Sequence, residues 1–431
     1  MFNWRKIIIY FLWYITGSKV PDNLKRLRRM SLVDQRSALE EILLHAYNHV
    51  PYYHKILSES GVVDNGQVNL DNFNRIPLLT KDIIRQEGAN LYSDDYQKRK
   101  FYQNTSGGST GEPVKFLQDQ EYWELVGIAL KIFYHEIYGK KIGEPEIIIW
   151  GSERDIFRNS LSWKERIINF LYNRTILNFF RYDDQKLASF IATINKVKPV
   201  SMWAYAESLD VISNYIKKNN LSVYSPKFII STAGTLFPEI RQVAQEAFHC
   251  PVYNQYGSME VGGVAIELEQ NKGLYGFPAL HYLEVIDGEV VVTLLVNFTM
   301  PIIRYKIGDT AIPPTASHFN NHNLIKVFDD VTGRTISHFK TESGQIINAR
   351  ILVRQFWFKD WIKKFQMIQK DRSYIICNVV LASEPNNQDI DNIKDKIKVL
   401  FGQNCCVDFN FVDQINPSKS GKYFYTYSEV K

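Results

Sequence analysis

Leu39, Ile42, Leu43, Ala46, Tyr47 and Val50 recur at spacings of three and four until Pro51, which predicts an amphipathic helix ending at the proline. Residues 31–34, Ser-Leu-Val-Asp, read as its start, a capping-box pattern with Asp in place of Glu. Residues 49–57, His-Val-Pro-Tyr-Tyr-His-Lys-Ile-Leu, follow, and polar loops are expected after them to about Asn104. From Thr105 onward the pattern alternates. A glycine-rich segment at 105–111 precedes a helix through Trp123, Val126, Leu130 and Phe133, and a short apolar strand follows at 147–150. Leu187, Phe190, Ile191 and Ile194 mark a helix, 227–232 a strand, and Ile240, Val243, Ala244, Ala247 and Phe248 the next helix. Strands alternating with helices predict an α/β layer fold. The runs 283–286 and 289–293 flank Asp287-Gly288, the pattern of a β-hairpin with a two-residue turn. Beyond Gly333 come a strand at 373–381, a helix carrying Ile390, Ile393, Ile397 and Leu400, and a strand at 407–412, a β-α-β unit of domain size.

The N-terminus has a different pattern. An apolar run over 7–15 contains Trp13 and is preceded by Trp4, Arg5 and Lys6. It is too short to span a bilayer, and no small-residue cleavage site follows. A helix lying in a membrane interface and a helix docked on the protein both fit, so residues 1–17 carry an expectation of peripheral membrane contact.

Composition narrows the class. A chain of 431 residues with 45% hydrophobic and 23% charged residues is a folded protein of two or more domains. With 51 basic and 46 acidic residues the net charge of +5 is too mild to argue for nucleic acid. Cys250, Cys377, Cys405 and Cys406 form no CxxC pair, so neither a zinc site nor a disulfide framework is expected, which suits a reducing cytoplasm. The adjacent pair at 405 and 406 reads as buried thiols.

Chemistry concentrates in six segments. In the first, Thr105, Ser106, Gly107, Gly108, Ser109, Thr110 and Gly111 are followed by Glu112-Pro113. Glycine lets backbone approach a ligand, and hydroxyls with backbone N–H groups bind phosphate oxygens. The spacing is neither that of a Walker loop nor that of a dinucleotide fingerprint. By composition alone a surface loop fits equally well.

This segment resembles the phosphate-binding loop of the adenylate-forming superfamily of acyl-CoA synthetases and adenylation domains. Within it the chain is most similar to the phenylacetate–CoA ligase branch and its capsular-polysaccharide CapK relatives. The likeness runs from about Ala46 to Lys422, and the motifs follow in the expected order. It implies a large multi-layer N-terminal domain with mixed sheets and helices (1–332, with a helical section at 1–104) and a small, mobile α+β domain (333–431).

The resemblance also distributes roles. Residues 231–238 match the loop lining the adenine pocket, which places Ala233, Gly234 and Thr235 there, although an ordinary strand–helix turn has the same pattern. Residues 253–260 match the motif whose aromatic stacks on adenine and whose acid binds magnesium, roles that fall on Tyr256 and Glu260, with Gly257 between them. Met259 departs from the threonine common in the family. Residues 304–309 match the ribose motif, with Asp309 accepting from the ribose hydroxyls and Arg304 supporting Asp309 or facing a phosphate. Gly333-Arg334 match the start of the interdomain hinge, with Arg334 near ribose or phosphate. The residues after Arg334 depart from the family, and the pivot is left open. Residues 417–422 match the loop carrying the catalytic lysine, which falls on Lys422 rather than Lys419.

The activity so implied uses ATP and Mg²⁺, activates a carboxylic acid as acyl-AMP, and passes the acyl group to a thiol, amine or sugar, with coenzyme A among the acceptors. A role in capsular or surface polysaccharide synthesis follows from the CapK likeness. A catabolic acyl-CoA ligase and a non-catalytic nucleotide-binding partner in capsule assembly remain as alternatives. The expected location is the cytoplasm, with contact at the inner membrane face.

Overall fold

The computed structural model describes residues 3–30, 32–105, 114–150, 162–179, 182–316, 322–334, 338–348, 350–353, 355–356, 359–416 and 424–430. The chain divides into two units, Met1–Thr332 and Gly333–Lys431.

In the first unit the periodicity before Pro51 becomes the helix Leu32–His49, with Ser31 outside the described residues. The helix ends before Pro51 as expected, and the proline also starts a second helix, Pro51–Glu59, because a missing N–H in the first helical turn loses no bond.

The centre is an eight-stranded sheet. Five strands, Val252–Ser258, Phe228–Thr232, Ser201–Tyr205, Glu146–Trp150 and Arg174–Asn178, pair in parallel in that order. Gly262–Glu267, Leu274–Gly276 and Ile325–Phe328 extend it antiparallel beyond Val252–Ser258. Every residue of Phe228–Thr232 is buried, as expected of a parallel strand covered on both faces. The helices Asp184–Val197 and Pro238–Phe248 stand where the sequence placed them.

A second sheet orders His281–Ile286, Glu289–Leu294, Tyr305–Ile312 and Asp330–Arg334. Its first two strands make the expected hairpin, with Asp287 and Gly288 at φ 52° and 78°.

The glycine-rich segment is set differently from the simple loop-then-helix expectation. Phe101–Thr105 and Lys115–Asp119 pair antiparallel, Thr105 opposite Lys115, so the segment joins the strands of a hairpin. The helix that follows is α-helical at Gln120–Tyr122, π-helical over Trp123–Ala129, and α-helical again over Leu130–Ile137.

The second unit holds a four-stranded sheet ordered Cys406–Phe411, Tyr374–Leu381, Ile362–Asp371 and Thr426–Ser428. Tyr374–Leu381 and Cys406–Phe411 run parallel and are joined through the helix Asn387–Phe401. All four cysteines are free. Cys250, Cys377 and Cys405 are buried but Cys406 is exposed, because neighbours on a strand face opposite ways.

Candidate functional site

Of the residues singled out in the first unit, Ala233, Gly234, Thr235, Tyr256 and Glu260 lie at the carboxyl end of the parallel strands, the edge at which open α/β sheets bind ligands. Phe228–Thr232 delivers Ala233, Gly234 and Thr235 directly beyond its last residue. Ala233 sits in the left-handed region at φ 61°, where a non-glycine residue is uncommon. A methyl group at Gly234 would lie 3.4 Å from Cβ of Ala206, the first residue of the helix after the neighbouring strand.

Val252–Ser258 carries Tyr256, and the turn beyond it carries Glu260. Two residues of the second sheet reach them. Tyr305–Ile312 alternates buried and half-buried positions, so Tyr305 and Asp309 share its inward face. The Tyr256 hydroxyl donates to Oδ2 of Asp309 at 2.9 Å, with both side chains buried. The Tyr305 hydroxyl donates to Oε1 of Glu260 at 3.4 Å. Tyr305 was missed in the sequence, although its spacing of four from Asp309 on a strand puts the two on one face.

The turn with Glu260 is held from several sides. Nε2 of Gln118 donates to the carbonyls of Met259 at 3.1 Å and Glu260 at 3.4 Å. Gln118 lies on the strand leaving the glycine-rich segment, so that strand is rooted against the Glu260 turn. Asp119 fixes the same strand by accepting from the backbone N–H groups of Phe298 and Thr299, at 2.6 and 3.3 Å. Burial raises the Asp119 pKa, and those bonds oppose the rise. Gly257 approaches the carbonyl of Gly262 so closely that no β-carbon fits, which gives Gly257 a role in closing the two strands around the turn. Nε2 of His281 bonds the carbonyl of Val261 at 2.9 Å, and burial lowers the His281 pKa to about 4.

Glu260 is 4% exposed, and among the described residues no cation pairs with it. A buried carboxylate without a countercharge is costly unless a ligand supplies one. No cluster of three or more His, Cys, Asp or Glu suited to a metal occurs among the described residues. That donor set fits a magnesium ion held by one carboxylate together with substrate phosphates, not a preformed all-protein cage.

Arg304 is engaged within the first unit. Its guanidinium grips Glu284 through Nε at 3.1 Å and Nη2 at 3.0 Å, and donates to the carbonyls of Asn74 and Ile76 at 2.6 and 2.5 Å. Those bonds tie the start of the Asp309 strand to the segment around Ile76. Ser106, Gly107, Gly108, Ser109, Thr110, Gly111 and Lys422 lie outside the described residues, as does the side chain of Arg334. Thr105 is described, at the end of its strand.

Residues 339–429 match the CapK C-terminal domain. Protein CapK of Staphylococcus aureus is 26% identical over 95% of this chain and 92% of its own length. The chain is thus similar to CapK over nearly its whole length, and it has the fold of the adenylate-forming ligases. Among solved structures, 2-hydroxyisobutyryl-CoA ligase in its postadenylation state, bound to R3-HIB-AMP, superposes with a TM-score of 0.69 at 14% identity, over 94% of this chain and 92% of that one. An anthranilate CoA ligase in complex with anthranoyl-AMP reaches 0.50 at 13% identity, over 74% and 65%. The CapK relation spans both units, whereas the family match covers part of the second alone.

Proposed function

We propose that this chain is an ATP-dependent ligase that activates a carboxylic acid as acyl-AMP and transfers the acyl group to a thiol, amine or sugar in the synthesis of a bacterial surface polysaccharide. The observation carrying the proposal is the buried Glu260, which no cation among the described residues pairs, set beside the root of the glycine-rich hairpin and one turn from the Tyr256–Asp309 pair. The structural relatives with acyl-AMP in place support the reaction class, and the CapK relative supports the pathway.

In this reading adenine packs against Tyr256 and the 233–235 loop, Asp309 accepts from the ribose hydroxyls, and Thr105 to Gly111 take the phosphates. Bound magnesium would be held by Glu260 and would neutralise phosphate charge. The substrate carboxylate attacks the α-phosphorus, a P–O bond forms, and pyrophosphate departs. Lys422 offsets the anionic charge gathered there. The acceptor nucleophile then attacks the acyl carbon and AMP leaves, with the second unit turned so that Lys422 is withdrawn. Arg304 positions the Asp309 strand. Residues 1–17 keep the enzyme at the inner face of the membrane.

ATP–pyrophosphate exchange over a panel of carboxylic acids tests the proposal. One or more acids should support exchange that Glu260→Gln weakens. No exchange with any acid, together with unaltered nucleotide binding, refutes catalysis and leaves a nucleotide-binding partner.

A further inference from the structure

The N-terminal helix, Trp4–Thr16, has two apolar faces. Ile9 and Trp13 are buried against the protein. Asn3 caps the helix and donates to the carbonyl of Ile142 at 2.8 Å, so the helix is docked. On the other side Trp4, Ile7, Ile8, Phe11 and Ile15, spaced i, i+3, i+4, i+7 and i+11, are all exposed, Phe11 to 61%. That spacing makes a single stripe down the helix, and a stripe of such large side chains on a docked helix has nothing to gain from water.

A second helix, Trp163–Leu171, continues it. None of its residues is buried. Its start is fixed by a capping box between Ser162 and Glu165, yet nine residues are too few to hold a helix in water by local bonds alone. Trp163, Ile167 and Phe170, spaced i, i+4 and i+7, are exposed, Trp163 to 68%. The two stripes meet: the rings of Trp4 and Phe170 are 6.1 Å apart, and the Arg5 guanidinium lies 4.5 Å from one ring and 5.1 Å from the other while its Nε donates to the carbonyl of Phe170 at 3.2 Å.

Charge identifies the occupant. The N-terminal helix carries Arg5 and Lys6 and no acid. Residues 3–30 hold seven basic residues against Asp22, and the second helix has Lys164 and Arg166 around Glu165. Tryptophans at the ends of an apolar stripe, with basic residues beside it, match the boundary between anionic headgroups and acyl chains. No helix among the described residues is long and apolar enough to cross a membrane, so this surface would lie on the bilayer rather than in it.

We propose that Trp4–Thr16 and Trp163–Leu171 together form one docking surface for an anionic phospholipid bilayer. This rests on the membrane-face location given above and extends it: the second helix supplies half of the surface, and removing residues 1–17 alone leaves partial binding.

The test is flotation of the full chain with vesicles of phosphatidylcholine alone or mixed with phosphatidylglycerol. The wild type should float with the mixed vesicles and release in high salt. Phe11→Glu and Ile167→Glu, both at exposed positions, should each lower partitioning about tenfold or more while keeping the wild-type melting temperature. Equal binding of Ile167→Glu and wild type would overturn the two-helix surface. No binding of the wild type to either vesicle would overturn the membrane altogether. A concentration-dependent dimer that Phe11→Glu dissolves, without vesicle binding, would assign the stripe to a second copy of the chain. Pyrophosphate exchange on the same proteins in solution keeps failure of the surface separate from failure of the enzymatic reading, since both substitutions should leave exchange unchanged.

Discussion

Tyr256→Phe removes one oxygen from the proposed nucleotide site and keeps the ring that would face adenine. The lost bond is the 2.9 Å donation to Asp309, made where tyrosine and carboxylate are 9% and 8% exposed. Water cannot readily replace it there. A hydrogen bond to a charged group contributes about 1.5–3 kcal/mol. If the bond acts by holding the Asp309 carboxylate toward ribose, most of that should appear as weaker ATP binding. The expected rise in the KM for ATP is about 10- to 100-fold, taking 1.4 kcal/mol per decade, with a smaller change in kcat for exchange. Steady-state exchange at varied ATP measures the split, and urea unfolding measures the stability share. A variant that loses stability by the full amount yet shows an unchanged KM for ATP would make the pair a structural bond and remove Asp309 from the ribose role.

Glu260→Gln should raise the Mg²⁺ concentration needed for half-maximal exchange while leaving the unfolding midpoint near wild type, because no described cation loses a partner; an unchanged Mg²⁺ titration would refute the ligand role. Arg304→Ala should cost about 3–5 kcal/mol, since it strands the largely buried Glu284, and urea denaturation would read it; an effect on KM without one on stability would restore Arg304 to the phosphates. Lys422→Ala should lower adenylation about 10²–10³-fold and spare transfer from supplied acyl-AMP, and equal loss in both half-reactions would count against withdrawal of the lysine. His281 is held neutral in the folded state, its pKa lowered from 6.5 to about 4, so the unfolded chain takes up the proton first as pH falls; stability should decline from about pH 6.5 down to 4, and His281→Gln should flatten that slope in a pH series of melting curves.

The layers of the fold were readable because the apolar runs were long or regular. The strand at 227–232 and the helix through Ile240 and Phe248 needed nothing beyond periodicity. What escaped was structure held by distant partners. Phe101–Thr105 and Lys115–Asp119 pair across a glycine-rich segment that reads as a loop, and the side chains that anchor this hairpin, Gln118 and Asp119, bond to residues more than a hundred positions away. Pro51 ends the first helix as expected, but it also starts the next one, Pro51–Glu59, which periodicity alone did not give. In the site, single motifs gave the residue types, but the pairing of Tyr256 with Asp309 and of Glu260 with Tyr305 crosses two sheets. The engagement of Arg304 depends on carbonyls at Asn74 and Ile76, for which the motif gives no hint.

The two tyrosine–carboxylate bonds have a consequence for motion. Tyr256 and Glu260 belong to the eight-stranded sheet and its turn, Asp309 and Tyr305 to the other sheet, and the bonds join them like two rungs four residues apart on each rail. Sliding one sheet past the other by a single strand residue, roughly 3.3 Å, would break both rungs together. A ligand that touches both carboxylates therefore clamps the sheets as well as filling the site. Occupancy and sheet cohesion become one equilibrium, so slower amide exchange along Tyr305–Ile312 would report nucleotide arriving at the opposite rail.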